Sequence, residues 1–274
     1  MKPTIALITV HGMGETQTTY AYGLRAELER RLSKSVWSNL HIETVYYQDI
    51  LQTNQEAYFD AAKDKIDWKK LRRFMLYGFC DASSLETQKA GKTSPYFQTQ
   101  DRIKTALFNA YQQIGKSGKV IVLAQSLGGQ VFSNYLWDAG KKAITGKDPA
   151  HGVWAKSNLD PTLPKAEDDF LRGKNVHRLV TTGCNIPLFV AGRSAAEIDA
   201  IAKPRPGFKW DNYYDEDDVL GWPLEPLSPS YKKLVADHKI DSGGLFASWN
   251  PLSHTKYWGD STFLNALVKH IEAL

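Results

Sequence analysis

The sequence predicts an α/β fold with a mostly parallel central sheet and helices on both faces. Three observations point there. Ile5 to Val10 is a continuous apolar, largely β-branched run ended by Gly12 and Gly14, as in a strand buried on both faces. Val120 to Leu123 is a second such run, entered through the turn Gly115-Lys-Ser-Gly118. Around these runs lie stretches of helical period, and strands alternating with helices close into a parallel sheet covered on both sides.

Taken in order, the first strand is followed by Tyr20, Leu24, Leu28 and Leu32, four apart with charges between them, a helix laying one stripe on the sheet. Ile42 to Tyr47 reads as a second strand. The third strand, Val120 to Leu123, leads through Ser126 into a helix on which Val131 faces Tyr135 and Phe132 faces Leu136. Two more strands are expected at His177 to Thr182 and Phe208 to Tyr214, separated by a short helix whose Ser194 and Glu197 have capping-box spacing. A final helix from about Ser261 aligns Phe263, Leu267, Ile271 and Leu274. Two stretches interrupt the alternation. Residues 52–98 read as a helical insertion (Tyr58, Ile66, Trp68, Leu71, Met75) with six cations from Lys63 to Arg73, and residues 140–175 read as a long, turn-rich surface loop.

The chain has 274 residues, a size that one α/β domain spanning 1–274 accommodates. A net charge of +4 without a long Lys/Arg block argues against nucleic acid as a partner. Cys80 and Cys184 lie far apart without metal-ligand spacing, which argues against a disulfide framework and a structural zinc and fits a reducing compartment. The apolar run at the N-terminus is too short for a signal-peptide core, and no segment approaches the ~20 apolar residues of a membrane span. The expectation is a cytoplasmic protein.

Chemistry enters at Ala124-Gln-Ser126-Leu-Gly128-Gly129. A buried strand turning sharply into a helix forces the central Ser into a strained backbone, and small residues two positions either side avoid clashes. Ala124 stands where the GxSxG pattern has its first Gly. The turn sets the Leu127 amide beside the seryl oxygen, where charge develops in acyl transfer. The first strand ends in His11-Gly12-Met13-Gly14, a loop able to aim the Met13 amide at the same oxygen, with His11 bracing the loop rather than acting as base.

In these features the chain resembles the α/β-hydrolase superfamily, and within it lipase-like and esterase-like serine hydrolases. The resemblance implies a triad in the order Ser, Asp, His, with Ser126 as nucleophile. It directs the acid to the loop Asp211-Asn-Tyr-Tyr-Asp215-Glu-Asp217-Asp218, where Asp218 opens the segment Asp-Val-Leu-Gly-Trp and Asp217 is the alternative; the other carboxylates there read as a solvated acidic turn. The base falls on His254, after the acid and before the last helix, with Tyr257 and Trp258 packing its loop, whereas His238, in a charged helical stretch, and His270 read as surface.

The function so implied is hydrolysis of a carboxylic ester through an acyl-enzyme, with no metal or organic cofactor and a small-molecule or lipid-like ester as partner. Thioesters and amides serve the same triad, and a hydrolase-fold receptor or scaffold without turnover is the reading from another class. The insertion, through Tyr58, Phe59, Trp68, Phe74, Met75 and Tyr77, is the candidate lid or acyl pocket. Its cationic face reads as solvated, with membrane-surface contact as the lesser alternative. Substrate and oligomeric state are not set by the sequence.

Overall fold

The computed structural model describes residues 2–242, 254 and 256–274, so the part of the base loop at 243–253 and residue 255 lie outside the described residues. Six parallel strands form one sheet: β1 (Ile5–Val10), β2 (Leu40–Val45), β3 (Lys119–Gln125), β4 (Val176–Thr182), β5 (Lys209–Tyr214) and β6 (Val235–Lys239). Their order is β2-β1-β3-β4-β5-β6. The chain therefore steps outward from β1 to β2, then crosses back over β1 to β3. That reversal opens a crevice at the carboxyl ends of β1 and β3, the place where open α/β sheets bind ligands.

Strand alternation divides the core into two layers. Ala6, Ile8 and Val10 of β1 with Val120, Val122 and Ala124 of β3 face a layer built from the helices Pro95–Ile114 and Leu127–Thr145. Leu7, Ile121, Leu123 and Val180 face the other way, onto Leu24 and Leu28 of the helix Tyr22–Arg31 and Phe263, Leu264, Leu267 and Ile271 of the last helix, Ser261–Glu272. Each of the larger buried side chains among these, Val, Leu, Ile and Phe, contributes about 1.5–3 kcal/mol. Asp260 caps the last helix by accepting the Phe263 amide at 2.8 Å.

The sheet has one strand more than the sequence reading. Residues 235–239, taken for a charged helical stretch, form edge strand β6, hydrogen-bonded to β5 alone. A five-residue edge strand with one buried apolar residue, Val235, and charges elsewhere carries too short an alternation to stand out. The second strand lies two residues earlier than expected, because Tyr47 leaves the sheet to stack on His11 with ring centroids 4.0 Å apart. Ser194 and Glu197 do form a capping box, on a single 3-10 turn.

Residues 53–87 hold two helices, Thr53–Ala62 and Lys69–Thr87, ahead of the crossover helix Pro95–Ile114. The stretch 140–175 is not one surface loop. Helix continues to Thr145, a second helix spans Lys165–Leu171, and Val153, Trp154 and Ala155 between them are buried. Trp154 overrides the turn-rich composition: it packs edge-on to Tyr135 and carries the Arg172 guanidinium 4.3 Å above its ring. Among the described residues, no helix is long and apolar enough to cross a membrane.

Candidate active site

β3 ends at Gln125 and the chain turns at once into the helix Leu127–Thr145, leaving Ser126 at the corner with φ 52° and ψ −124°. Such a backbone costs a non-glycine residue ~1–3 kcal/mol and persists only where the surroundings over-determine it. Here they do. The Ser126 amide donates to Thr182 O of β4 at 2.9 Å, and Ser126 O accepts the Gly129 amide at 3.0 Å. A Cβ on Gly128 would fall 2.4 Å from His11 O, and one on Gly129 2.7 Å from Cys184 Sγ. Ala124, which stands where the sequence pattern has a glycine, is fully buried.

The loop after β1 presses against the same corner. A Cβ on Gly12 would lie 2.8 Å from Ser126 Cβ and 3.5 Å from Ser126 Oγ, so the loop approaches the serine as closely as glycine permits. Met13 follows directly. On the other side of Ser126, Leu127 opens the helix, and its amide is one of the first-turn donors that lack an intrahelical acceptor. His11 is buried and braces the loop: Nδ1 meets Gly12 O at 2.7 Å, which assigns the proton to Nδ1, and Nε2 accepts the Tyr47 amide at 3.1 Å. Burial lowers its pKa to about 4, against the partial support of the Gly12 carbonyl, so the ring is neutral at pH 7. Tyr47 Oη donates to His11 O at 2.8 Å.

A second brace comes from the helix Lys69–Thr87. Asp81 on that helix is fully buried and accepts the Gly14 amide at 3.1 Å, Gln48 Nε2 at 3.1 Å and Gln55 Nε2 at 2.8 Å. Burial pushes its carboxyl pKa up, and the donors from Gln55, Gln48 and Gly14 oppose that rise. Gly78, one turn earlier, leaves room for Met13: a Cβ there would sit 2.9 Å from Met13 Sδ.

On the far wall stand the acid and the histidine. His254 Nδ1 meets Asp218 Oδ2 at 2.7 Å, both residues are buried, and the same oxygen accepts Tyr257 Oη at 2.8 Å while Oδ1 accepts the Leu220 amide at 3.0 Å. Burial alone would raise the Asp218 pKa, but hydrogen bonding and charge from His254, with the Leu220 and Tyr257 donors, bring it below the ordinary carboxylate value. Gln125 Nε2 donates to His254 O at 2.6 Å, tying the histidine to the residue before Ser126. Gly183, next to the carbonyl that holds the Ser126 amide, fits between these groups: its Cβ would lie 3.0 Å from Asp218 Oδ2 and 3.1 Å from His254 Cε1. Among the described residues, His254 Nε2 has no hydrogen-bond partner.

Asp218 and His254 are therefore paired, and the His254 carbonyl is tied to Gln125, the residue before Ser126, while Met13 and Leu127 flank the serine on the loop after β1 and at the helix start. Asp217 lies outside this pairing, exposed, its amide turned back to Asp215 Oδ1 at 3.0 Å. The acidic stretch is less solvated than the sequence reading held. Asp211 is buried against Arg178 and His238, and Asp215 is buried and accepts the Ser242 amide and hydroxyl at 2.7 and 2.9 Å. His270, expected at the surface, is half-buried and paired with Tyr213 Oη at 2.9 Å. Tyr257 does more than pack the loop, because its hydroxyl bonds the acid.

Asn185 has no signal in the sequence. It is fully buried, and its Nδ2 donates toward Ser126 Oγ at 3.4 Å and Met13 Sδ at 3.8 Å. Only the preceding strand end could have pointed to it. Cys184 beside it is buried, and desolvation pushes its thiol up to about 12, which removes it as a nucleophile. Of the residues expected to form a pocket, Phe74 and Met75 line a cavity beside Met13, Phe59 and Tyr77 are buried, and Tyr58 and Trp68 are exposed. Among the described residues, no group of three or more His, Cys, Asp or Glu side chains is arranged to hold a metal ion.

No family model matches the chain, and no curated protein matches it. Among solved structures it is similar to the catalytic core domain of acetyl xylan esterase from Trichoderma reesei, at 13% identity over 100% of this chain and 99% of that one, with a TM-score of 0.45. It is also similar to a protein of unknown function from Agrobacterium tumefaciens, at 13% identity over 100% and 92% of the two chains, with a TM-score of 0.49. A cutinase-like protein from Cryptococcus sp. is similar at 9% identity over 99% and 94%, with a TM-score of 0.41. The parallel sheet, the strained serine between β3 and its helix, and the paired Asp218 and His254 agree with the α/β-hydrolase fold expected from the sequence.

Proposed function

We propose that this protein is a serine hydrolase that cleaves carboxylic esters through an acyl-enzyme on Ser126. One observation carries the reading: Asp218 engages Nδ1 of His254, leaving Nε2 buried without a partner among the described residues, and Gln125 ties that histidine to the residue before the strained Ser126. An imidazole whose Nδ1–H is held by a carboxylate presents a lone pair on Nε2, as a general base requires.

Ser126 Oγ attacks the acyl carbon as its proton passes to His254 Nε2, forming the C–O bond. The electron pair displaced from the carbonyl rests on the oxygen, held by the Met13 and Leu127 amides, each such donor being worth ~3 kcal/mol. The pair returns as the bond to the leaving alkoxide breaks, and the alcohol departs with the proton from His254. Water then repeats the attack on the acyl-enzyme and releases the acid. Throughout, Asp218 holds the tautomer and balances the imidazolium charge. These steps need no cofactor, and the substrate is a small-molecule or lipid-like ester.

The test is turnover of p-nitrophenyl acetate by wild type, Ser126→Ala and His254→Ala. Each substitution should lower kcat at least ~10³-fold, because these groups act as a unit. Turnover in Ser126→Ala equal to wild type would overturn the proposal.

A further inference from the structure

Beside the serine lies a cavity of about 100 Å³ walled by Met13, Phe74, Phe79, Leu188, Phe189 and Leu220. Its position ties it to the reacting centre. Asn185, its polar lining residue, donates toward Ser126 Oγ, Met13 follows the glycine packed on Ser126, and Leu220 lies two residues beyond Asp218. The rest of its walls come from two segments that the triad does not use: the helix Lys69–Thr87, and the turn of helix Ile186–Val190 after β4. Both leave apolar surface in solvent at its mouth, with Phe79 66% and Leu188 49% exposed. A single exposed Leu is ordinary, but paired apolar side chains at the rim of an apolar cavity next to a nucleophile mark a site that an apolar ligand covers.

Resting on the hydrolase reading, we infer that this cavity takes the acyl chain of the substrate and selects short aliphatic acyl esters over acetyl esters. The size follows from volume. An apolar cavity of 150 Å³ accommodates benzene, so this one receives a chain of about four carbons, and longer chains run out along Phe79 and Leu188. Among the described residues, the walls offer no charge to a polar acyl group, and the one polar side chain lining the cavity, Asn185, is already directed at Ser126. Two extra methylenes buried between acetyl and butyryl are worth roughly tenfold in kcat/KM.

The experiment measures kcat/KM for p-nitrophenyl acetate, butyrate, hexanoate and decanoate with wild type, Leu188→Trp and Phe79→Ala, and labels each with a fluorophosphonate. Phe79 lies mostly, and Leu188 half, in solvent, so neither substitution opens the core. The expected result is a rise of roughly tenfold from acetate to butyrate in wild type. Leu188→Trp should fill the cavity and flatten the ratio of butyrate to acetate kcat/KM, and Phe79→Ala should weaken hexanoate relative to butyrate. A labelled, acetate-active enzyme with a flat chain-length profile would overturn the acyl-pocket inference alone, as would a Leu188→Trp variant that keeps the wild-type preference. Absence of both labelling and turnover of every ester would overturn the hydrolase reading, and this inference with it.

Discussion

The two walls of the crevice are fixed by different means. On one side, Asp218 is held by Leu220, two residues on, and by His254 and Tyr257 from the segment entering the last helix. On the side proposed to hold the oxyanion, the His11–Gly14 loop is held by Tyr47, after β2, and by Asp81, on a helix that a minimal β2-to-β3 crossover would not require. One wall is built from the residues proposed to react, whereas the other is positioned by residues that touch no substrate. Damage to the first should therefore fall on chemistry, and damage to the second on geometry.

The largest effect is expected at the acid. Asp218→Asn should reverse the hydrogen-bond polarity at His254 Nδ1, favour the wrong tautomer and lower kcat by roughly 10⁴-fold with little change in KM. The equivalent change at exposed Asp217 should leave turnover within about twofold. Comparable losses in the two variants would contradict the contrast between them.

Next comes Asp81→Asn, which keeps the shape but sets an amide donor against one of the donors now held by the carboxylate. Turnover should fall about tenfold while KM stays within about twofold, since the Met13 amide is proposed to act on the transition state. Slower fluorophosphonate labelling should accompany it. A raised KM with unchanged kcat would mean that Asp81 supports binding instead. Tyr257→Phe removes one of the donors to Asp218, a loss of ~1 kcal/mol, and should slow turnover only several-fold.

Acidity probes the oxyanion wall through stability. His11 titrates at about 4 in the folded protein and at about 6.5 when unfolded. Between these values the unfolded chain binds the extra proton, so the contribution is complete above about 6.5 and is lost as pH falls toward 4, ~3 kcal/mol in all. Asp218, whose folded pKa is lowered, adds a loss only at lower pH, and the raised carboxyl of Asp81 works in the opposite sense. Comparing urea midpoints of wild type and His11→Asn from pH 7 to 4 cancels the groups they share. The variant should show the shallower decline, and equal slopes would remove His11 from the account.

The contrast between the walls also explains what could be read from sequence. Ser126 and the His11–Gly14 loop were legible because each follows a buried strand run directly, so position along the chain gives position in the sheet. The pairing of Asp218 with His254 was expected from the residue order of the superfamily the chain resembles, while their roles remain proposals. Asp81, Tyr47 and Asn185 were not, because their partners at the site lie 67, 36 and 59 residues away and no local pattern marks such pairings. The burial of Trp154 was hidden for the same reason, since its packing partners, Tyr135 and Arg172, come from helices on either side of a turn-rich stretch.

Mass spectrometry of the protein treated with a fluorophosphonate tests most directly whether Ser126 carries the attacking oxygen. The expected result is a single adduct that maps to the peptide containing Ser126, forms at least ~10³-fold more slowly in His254→Ala, and is absent from Ser126→Ala. An adduct on another residue, or equal labelling of Ser126→Ala and wild type, would contradict it.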